Sequence, residues 1–463
     1  MRERLQRHLE STGLIPPGAL VLVAYSGGAD STCLLTLLHG LGYAVTVAHL
    51  HHGERAEADD EANRCTEYCT RLGVTLLTGR ADVPRMSQEL GMSREAAGRH
   101  ARQAFLEQAA RETKCALIAT GHTRDDHVET VLFHVARGTG LAGLAGIPVR
   151  RGPYVRPLLG ITREETRAYC RDRELWFHDD PSNHDLNLSR ARIRHRVLPE
   201  LRHAHPGTDE SIVRLAELAH EEDNFLDGAA AAALEQYELP LNGELSFLTQ
   251  DCEIAFGRAA IGHLPRVLFR RAMRLAVGAL GSTLTFHQCE VLTDQFATEP
   301  TGSVTSEGGV VVVSWDESVL RVGQTLPTMP FRYGLTVPGE TLSDEFGWVL
   351  TAVPTTSTGE GVTRSALNTV IDGGRVKGQL YFRSVEPGDR IAPLGMEGTR
   401  KLADLLSEAG LTPAARRRLP IVCDFMGPVW APGVTVSHRV RCDATTERAL
   451  GLRFGPTPGA TLA

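Results

Sequence analysis

The segment Ser26-Gly27-Gly28-Ala29-Asp30-Ser31 follows an apolar run, Leu20–Tyr25, and leads straight into the helical pattern Thr32-Cys33-Leu34-Leu35. These residue types at this spacing make a seat for pyrophosphate. Gly27 and Gly28 let the backbone turn tightly against an anion. The helix start aims unpaired N–H groups and a positive dipole end at the same point. Ser26 and Ser31 add hydroxyl donors, and Asp30 is placed to orient Mg²⁺ or to cap the helix. An ordinary Gly-rich turn is the plain alternative, which the strand before it and the helix after it weaken. The turn lacks a Walker-type lysine: the chain has only three lysines, Lys114, Lys377 and Lys401, none of them nearby. A loop that holds β- and γ-phosphates without a lysine suits attack at the α-phosphate, with pyrophosphate leaving and an adenylate as product.

Three further constellations carry chemistry. In Val47-Ala48-His49-Leu50-His51-His52-Gly53-Glu54-Arg55, at the end of a second apolar run, His52 and Arg55 are candidate nucleotide contacts. Incidental imidazoles in a polar turn are the alternative, and no carboxylate or cysteine stands at metal-ligand spacing. In Gly121-His122-Thr123-Arg124-Asp125-Asp126-His127-Val128-Glu129-Thr130, Thr123 and Asp126 have the spacing of a capping box. Asp126, Glu129 and Thr130 share one helical face, where two carboxylates suit Mg²⁺ or the ammonium group of an amine substrate. The following Arg137–Pro148 run has Gly138, Gly140, Gly143 and Gly146. A plain helix stop needs one glycine, so the others point to close approach of a ligand. The arginines form the last group: Arg94, Arg99 and Arg102 along one helix, and Arg190, Arg192, Arg194 and Arg196 in alternation. Guanidinium forks match phosphates, but arginine is nearly the only cation this chain uses, which halves the weight of its clusters.

The elements that must position these residues alternate. Strand-like runs Leu20–Tyr25, Ala44–His49, Val74–Leu77 and Ala116–Thr120 are separated by helical patterns Thr32–Leu41, Asp59–Leu72, Arg94–Arg111 and Asp125–Ala136. That order predicts an α/β, doubly wound parallel sheet over residues 1–210, with ligands at the C-terminal strand ends. From Ser211 the strand signal stops. A small, mostly helical domain is expected over 211–325, with helices near Ile212–Tyr237, Pro265–Leu280 and Phe286–Phe296 and a closing hairpin. A C-terminal mixed α/β domain is expected over 326–463.

Bulk properties agree with a globular chain. Its 463 residues suffice for two or three domains, with 42% apolar and 23% charged residues. A net charge of −7 does not advertise a nucleic-acid binder, but local basic stripes decide that question. Nine cysteines, an odd count without any C-x-x-C, disfavour structural zinc, an iron–sulfur cluster or a thioredoxin-like motif, and point to a reducing compartment. No apolar run approaches the roughly 18 residues of a span, and the N-terminus reads as a mixed-charge helix. No membrane segment or signal peptide is expected, and the expected location is cytoplasmic.

Taken together, these segments resemble the tRNA(Ile)-lysidine synthases, within the N-type ATP pyrophosphatase (PP-loop) group. The Ser26–Ser31 turn is shared across that group. The narrower resemblance is carried by Gly121–Asp126, Glu129-Thr130, Arg137–Pro148, Arg156–Leu159, Asp180, Ser182-Asn183, Arg190, Ile193-Arg194 and Pro199. It continues in Pro387–Arg390, Lys401-Leu402, Arg418–Pro420 and Trp430. Gln103 and Ala191 depart from the family pattern.

The resemblance implies that ATP adenylates O2 of the wobble cytidine in the CAU anticodon of tRNA(Ile). The ε-amine of free L-lysine then attacks C2 and AMP leaves. It implies that Ser26, Gly27, Gly28, Ala29, Asp30 and Ser31 hold phosphates with Mg²⁺, and that Asp126 and Glu129 hold or deprotonate the lysine ammonium. Arg99 and Arg102 would steady charge at the α-phosphate, and the later domains would grip the tRNA. A homodimer is left open. The competing expectation is a PP-loop tRNA thiolase using the same adenylation, with Cys33 and Cys115 as candidate relay thiols.

Overall fold

The structure, a computed structural model, describes residues 1–51, 58–179, 189–325, 330–343, 346–356, 367–396 and 398–457. It divides into two compact units, Met1–Asn224 and Phe225–Ala463.

The first unit runs α1 (Arg2–Thr12), β1 (Leu20–Ala24), α2 (Ala29–Gly40), β2 (Ala44–His51), α3 (Ala58–Leu72), β3 (Thr75–Arg80), α4 (Val83–Leu90), α5 (Arg94–Glu112), β4 (Leu117–Ala119), α6 (Arg124–Arg137) and α7 (Leu141–Leu144). A short hairpin, β5 (Arg150–Arg151) and β6 (Tyr154–Val155), then leads to α8 (Arg163–Asp172), α9 (Ser189–Arg192), a π-helical turn at Ile193–Val197, and α10 (Leu198–Ala204). The helix α11 (Thr208–Tyr237) contains the division between the units.

The sheet order is β3-β2-β1-β4-β6-β5. Strands β1 to β4 and β6 run parallel, and only the β5–β6 pair is antiparallel. This is the expected doubly wound sheet. Its central strand explains the unbroken apolar run in the sequence. Val21 and Val23 face one cluster with Leu34, Leu35 and Val47, while Leu22 faces another with Leu106 and Ile118. With helices on both faces, such a strand has no polar side. The register places Val23 beside both Val47 and Ala119, so the chain ends of β1, β2 and β4 lie side by side. The Ser26–Ser31 turn, the end of β2 at His51 and the Gly121 segment thus share one edge of the sheet, the place where ligands bind in this topology.

The second unit is built on antiparallel sheets. A four-stranded sheet, ordered Glu253–Gly257, Val319–Gln324, Val311–Trp315 and Gly302–Thr305, packs against Arg266–Ala279 and Phe286–Thr298 around Phe256, Phe269, Phe296 and Trp315. The expected hairpin is therefore half of a larger sheet. Its outer strands are four and five residues long and gave little periodic signal. Beyond it lie a five-stranded and a four-stranded antiparallel sheet, with two short helices, Leu402–Glu408 and Pro413–Arg418. Their core centres on Trp348, Phe382, Trp430 and Phe454. Leu245 and Leu248, from the preceding region of sequence, belong to this core. Among the described residues no helix is long and apolar enough to cross a membrane.

Asn242 ties these parts of the second unit together. Its backbone has φ 62°, its Nδ2 donates to Thr249 Oγ1 at 2.7 Å, and its Oδ1 accepts from the Thr412 N–H at 2.8 Å. Both ends of one buried amide are used. Asn242→Ala loses both bonds and sets a Cβ-bearing residue without a polar side chain at positive φ. A loss of about 2–3 kcal/mol is expected, read as an earlier urea midpoint for this unit with the first unit's transition unchanged.

Candidate active site

The Ser26–Ser31 turn is held by its own hydroxyls. The Ser26 N–H donates to Ser31 Oγ at 3.2 Å, the two hydroxyl oxygens lie 3.2 Å apart, and Ser31 Oγ donates to the Gly28 carbonyl at 3.0 Å. Gly27 has φ 78°, and a Cβ there would stand 3.0 Å from Cys65 Sγ and 3.4 Å from the Trp176 ring. A side chain is thus excluded by conformation and by space. Gly28 is the N-cap of α2 and offers no side-chain cap, which leaves the first-turn N–H groups, including those of Ala29 and Asp30, to a ligand. A second segment braces the turn: the His178 N–H donates to the Gly27 carbonyl at 2.8 Å. At the end of β4, Gly121 permits close approach, since a Cβ there would lie 3.1 Å from the Asp30 carbonyl carbon and the Ser31 nitrogen.

Asp30 points from this first turn toward α8. Thr166 Oγ1 donates to its Oδ1, and Arg163 Nε lies 3.9 Å from its Oδ2. Burial pushes the Asp30 carboxyl up to about 6, against the lowering effect of Thr166, with Asp126 adding repulsion.

The start of α6 is the second half of the site. Thr123 donates from its N–H and its hydroxyl to Asp126 Oδ2, at 2.8 and 2.9 Å, which is the expected capping box. The other Asp126 oxygen accepts from Arg163 Nη2 at 2.6 Å. Burial alone would raise Asp126, but Arg163 and the Thr123 bonds outweigh it and hold the carboxyl below the usual range. Glu129, one turn on and only 2% exposed, is gripped by two arginines. Arg163 Nη1 reaches its Oε1 at 3.0 Å, while Arg194 bonds both oxygens, Nε at 2.7 Å and Nη2 at 2.9 Å. Arg163 therefore touches or faces Asp30, Asp126 and Glu129 together and joins the phosphate turn to the carboxylate pair. Sequence reading missed Arg163 and Thr166. The available signal was Thr162-x-x-Glu165, which forms the capping box that starts α8.

His122 sits beside this pair with Nδ1 2.8 Å from Thr120 Oγ1. Burial pushes its ring down to about 4; Asp126 opposes this, and the charges of Arg156, Arg190 and Arg102 reinforce it. Arg102 and Arg190 thus come within electrostatic reach of the site. Arg99, also on α5, is exposed, and no contact places it at the carboxylates. Gln103 is exposed and pairs with Glu107 along the helix, whereas Ala191 is buried.

His49 is a core residue, its Nδ1–H donating to the Tyr25 carbonyl at 2.9 Å. One expectation is corrected. Gly143 and Gly146 serve internal packing: a Cβ at Gly143 would stand 1.9 Å from Thr139 Oγ1, and one at Gly146 would meet His127 and Val131 at 2.8 Å, while Gly138, with φ 75°, is the C-cap of α6. His134 Nδ1 also bonds the Gly143 carbonyl at 2.7 Å, so α7 folds back on α6 and these two glycines need no ligand to explain them. His52, Arg55, Asp180, Ser182 and Asn183 lie outside the described residues. Among the described residues no group of three or more His, Cys, Asp or Glu could hold a metal ion. All nine cysteines are free, and eight are buried. Burial pushes the thiols of Cys65 up to about 12 and Cys170 up to about 11, and raises Cys33 as well.

A parallel, doubly wound sheet with a lysine-free phosphate turn opening α2 and a carboxylate pair at the next strand end defines a PP-loop enzyme. Residues 1–201 match the PP-loop domain, and residues 379–452 match the TilS substrate C-terminal domain. The chain is 31% identical to the tRNA(Ile)-lysidine synthase of Dehalococcoides mccartyi, over 98% of this chain and 99% of that protein. It is 30% identical to that of Geobacillus kaustophilus, over 94% and 95%. The chain belongs to the tRNA(Ile)-lysidine synthase family. Among solved structures, a U34-tRNA thiolase from Methanococcus maripaludis matches 47% of this chain and 78% of its own at 22% identity and TM-score 0.41. A TilS C-terminal domain matches 28% of this chain and 98% of its own at 25% identity and TM-score 0.26.

Proposed function

We propose that this chain joins free L-lysine to C2 of the wobble cytidine in the CAU anticodon of tRNA(Ile), after activating that base with ATP. The observation that carries the reading is Arg163, which spans Asp30 of the phosphate turn and the Asp126–Glu129 pair, so that nucleotide and amine chemistry fall within one site. In the first half-reaction, cytidine O2 attacks the α-phosphorus and pyrophosphate leaves from the Ser26–Ser31 turn. Mg²⁺ takes one or two carboxylates and otherwise phosphate and water oxygens. Asp30 fits that demand, as a half-buried carboxylate at the turn whose Oδ2 has Arg163 no nearer than 3.9 Å. When bound, the ion would offset charge on the leaving phosphates. Arg102 serves charge at the α-phosphate in this reading, and Arg99 serves it at longer range.

In the second half-reaction the lysine amine, neutral, attacks C2 and AMP leaves with the C2–O bond. Asp126 and Glu129 supply the negative field that draws an ammonium to this place, and a proton must leave the amine before attack. The target cytidine must leave its stack to reach the site. The second unit holds the tRNA body. The thiolase reading would need an accessible thiolate, whereas the candidate relay thiols Cys33 and Cys115 are both buried, and burial raises Cys33.

Mass analysis of tRNA(Ile) transcript after incubation with ATP and isotopically labelled lysine tests the reading. Label in the anticodon nucleoside is expected, together with AMP release that depends on lysine. Turnover driven by sulfide and indifferent to lysine would replace this reading with the thiolase one.

A further inference from the structure

Both oxygens of Glu129 are occupied by guanidinium groups, and of the Asp126 oxygens one is taken by Arg163 and the other by Thr123. The amine site proposed above is thus filled by the protein's own cations. Arg163 is anchored at the start of α8 and divided among three carboxylates. Arg194 makes a two-pronged bond to Glu129, with Asp126 at 3.8 Å. It is also carried on the π-helical turn Ile193–Val197. Such turns hold their hydrogen bonds less regularly than an α-helix and recur at functional positions.

We infer that Arg194 is a lock on the amine site: it occupies the Glu129 carboxylate in the free protein and releases it only when a phosphate group draws the guanidinium away. This rests on the lysine-ligating reading and specifies its order of binding. The physical basis is a competition between cations. Two guanidinium ions, one of them shared with Asp30, already fill both oxygens of Glu129 and one of Asp126, so an arriving ammonium finds no open acceptor on Glu129. A two-pronged guanidinium–carboxylate bond is also stronger and more directional than a bond from an ammonium, so free lysine cannot displace Arg194 by itself. A phosphate can, because it offers the same fork-matching geometry. Once Arg194 has turned to it, Glu129 regains an oxygen and a net charge for the amine. Lysine is thereby admitted only after an anionic partner is in place, and the nucleophile is held off until there is something to attack. The phosphate has two available sources, the nucleotide and the RNA backbone.

The test measures binding of radiolabelled L-lysine to the full-length protein alone, with a non-hydrolysable ATP analogue, with tRNA(Ile) transcript, and with both. For the wild type, lysine affinity is expected to rise at least tenfold in one or more phosphate-bearing arms, and the arm in which it rises identifies the source. Arg194→Gln is expected to bind lysine at least tenfold more tightly than wild type with no phosphate present. Arg194→Lys, which keeps the charge but loses the fork, should show a smaller gain and provides the comparison should the glutamine variant melt early. Equal lysine affinity in all wild-type arms, or no gain in either variant, overturns the lock. Incorporation of labelled lysine into tRNA by wild type separates the two failures. If lysine is incorporated while affinities stay flat, only the lock falls; without incorporation the ligation reading falls.

Discussion

Asp30→Asn is expected to abolish pyrophosphate release and to make the protein more stable at neutral pH. The two effects have one cause. Asp30 is a carboxylate held near the phosphate turn with little compensation: burial raises it to about 6, and Arg163 stands 3.9 Å away. The folded protein binds this proton more tightly than the unfolded chain. Stability associated with the group is therefore highest below about pH 4, is lost as pH rises to about 6, and stays low above that. With about a quarter of the side chain open to solvent, the penalty at neutral pH is roughly 2–3 kcal/mol. Asparagine removes the titration and keeps an oxygen for Thr166. In nucleotide-free protein treated with chelator, the stability advantage of Asp30→Asn should grow by on the order of 1 kcal/mol from pH 5 to pH 7.5. Pyrophosphate release should meanwhile fall by about 10²–10³-fold or more, with tRNA retention on a filter largely intact. A melting advantage independent of pH, or unchanged pyrophosphate release, would contradict the role given to Asp30.

Glu129→Gln carries the second large effect, of opposite sign in stability. The side chain is 3% exposed and paired with Arg163 and Arg194. Removing its charge leaves two guanidinium groups short of their partner, with an expected loss of about 3 kcal/mol. Lysine-dependent AMP release is expected to fall by about 10²-fold, while pyrophosphate release in the absence of lysine changes far less. A purely structural Glu129 would lower both half-reactions together, so rapid-quench measurement of the two products separates the roles.

Legibility in the sequence followed how local each feature was. The Ser26–Ser31 turn needs only its own residues and the strand and helix that flank it, and its place between them was legible. Capping by Thr123 and Asp126 spans three residues and was read for the same reason. Arg163 and Thr166 were not, because their partners Asp126 and Asp30 lie 37 and 136 positions away and nothing local marks a side chain for a distant one. The glycines after α6 misled for a related reason. Gly143 and Gly146 are small because Thr139, His127 and Val131 press on them, a cause invisible without α7 folded back on α6. In the second unit, the outer strands Glu253–Gly257 and Gly302–Thr305 were too short for periodicity to show. The sequence-based boundary near 210 contrasts with a division at Asn224/Phe225, inside one continuous helix.

From the sequence alone came the alternation that makes a parallel sheet, the lysine-free phosphate turn, and the two carboxylates on one face of a helix, because each is written in neighbours or in helical and strand periods. The tertiary structure alone decided that those carboxylates are already bonded, by Arg163 and Arg194. Charge balance in a buried site is set by which distant side chains converge on it, and convergence is a property of the folded chain.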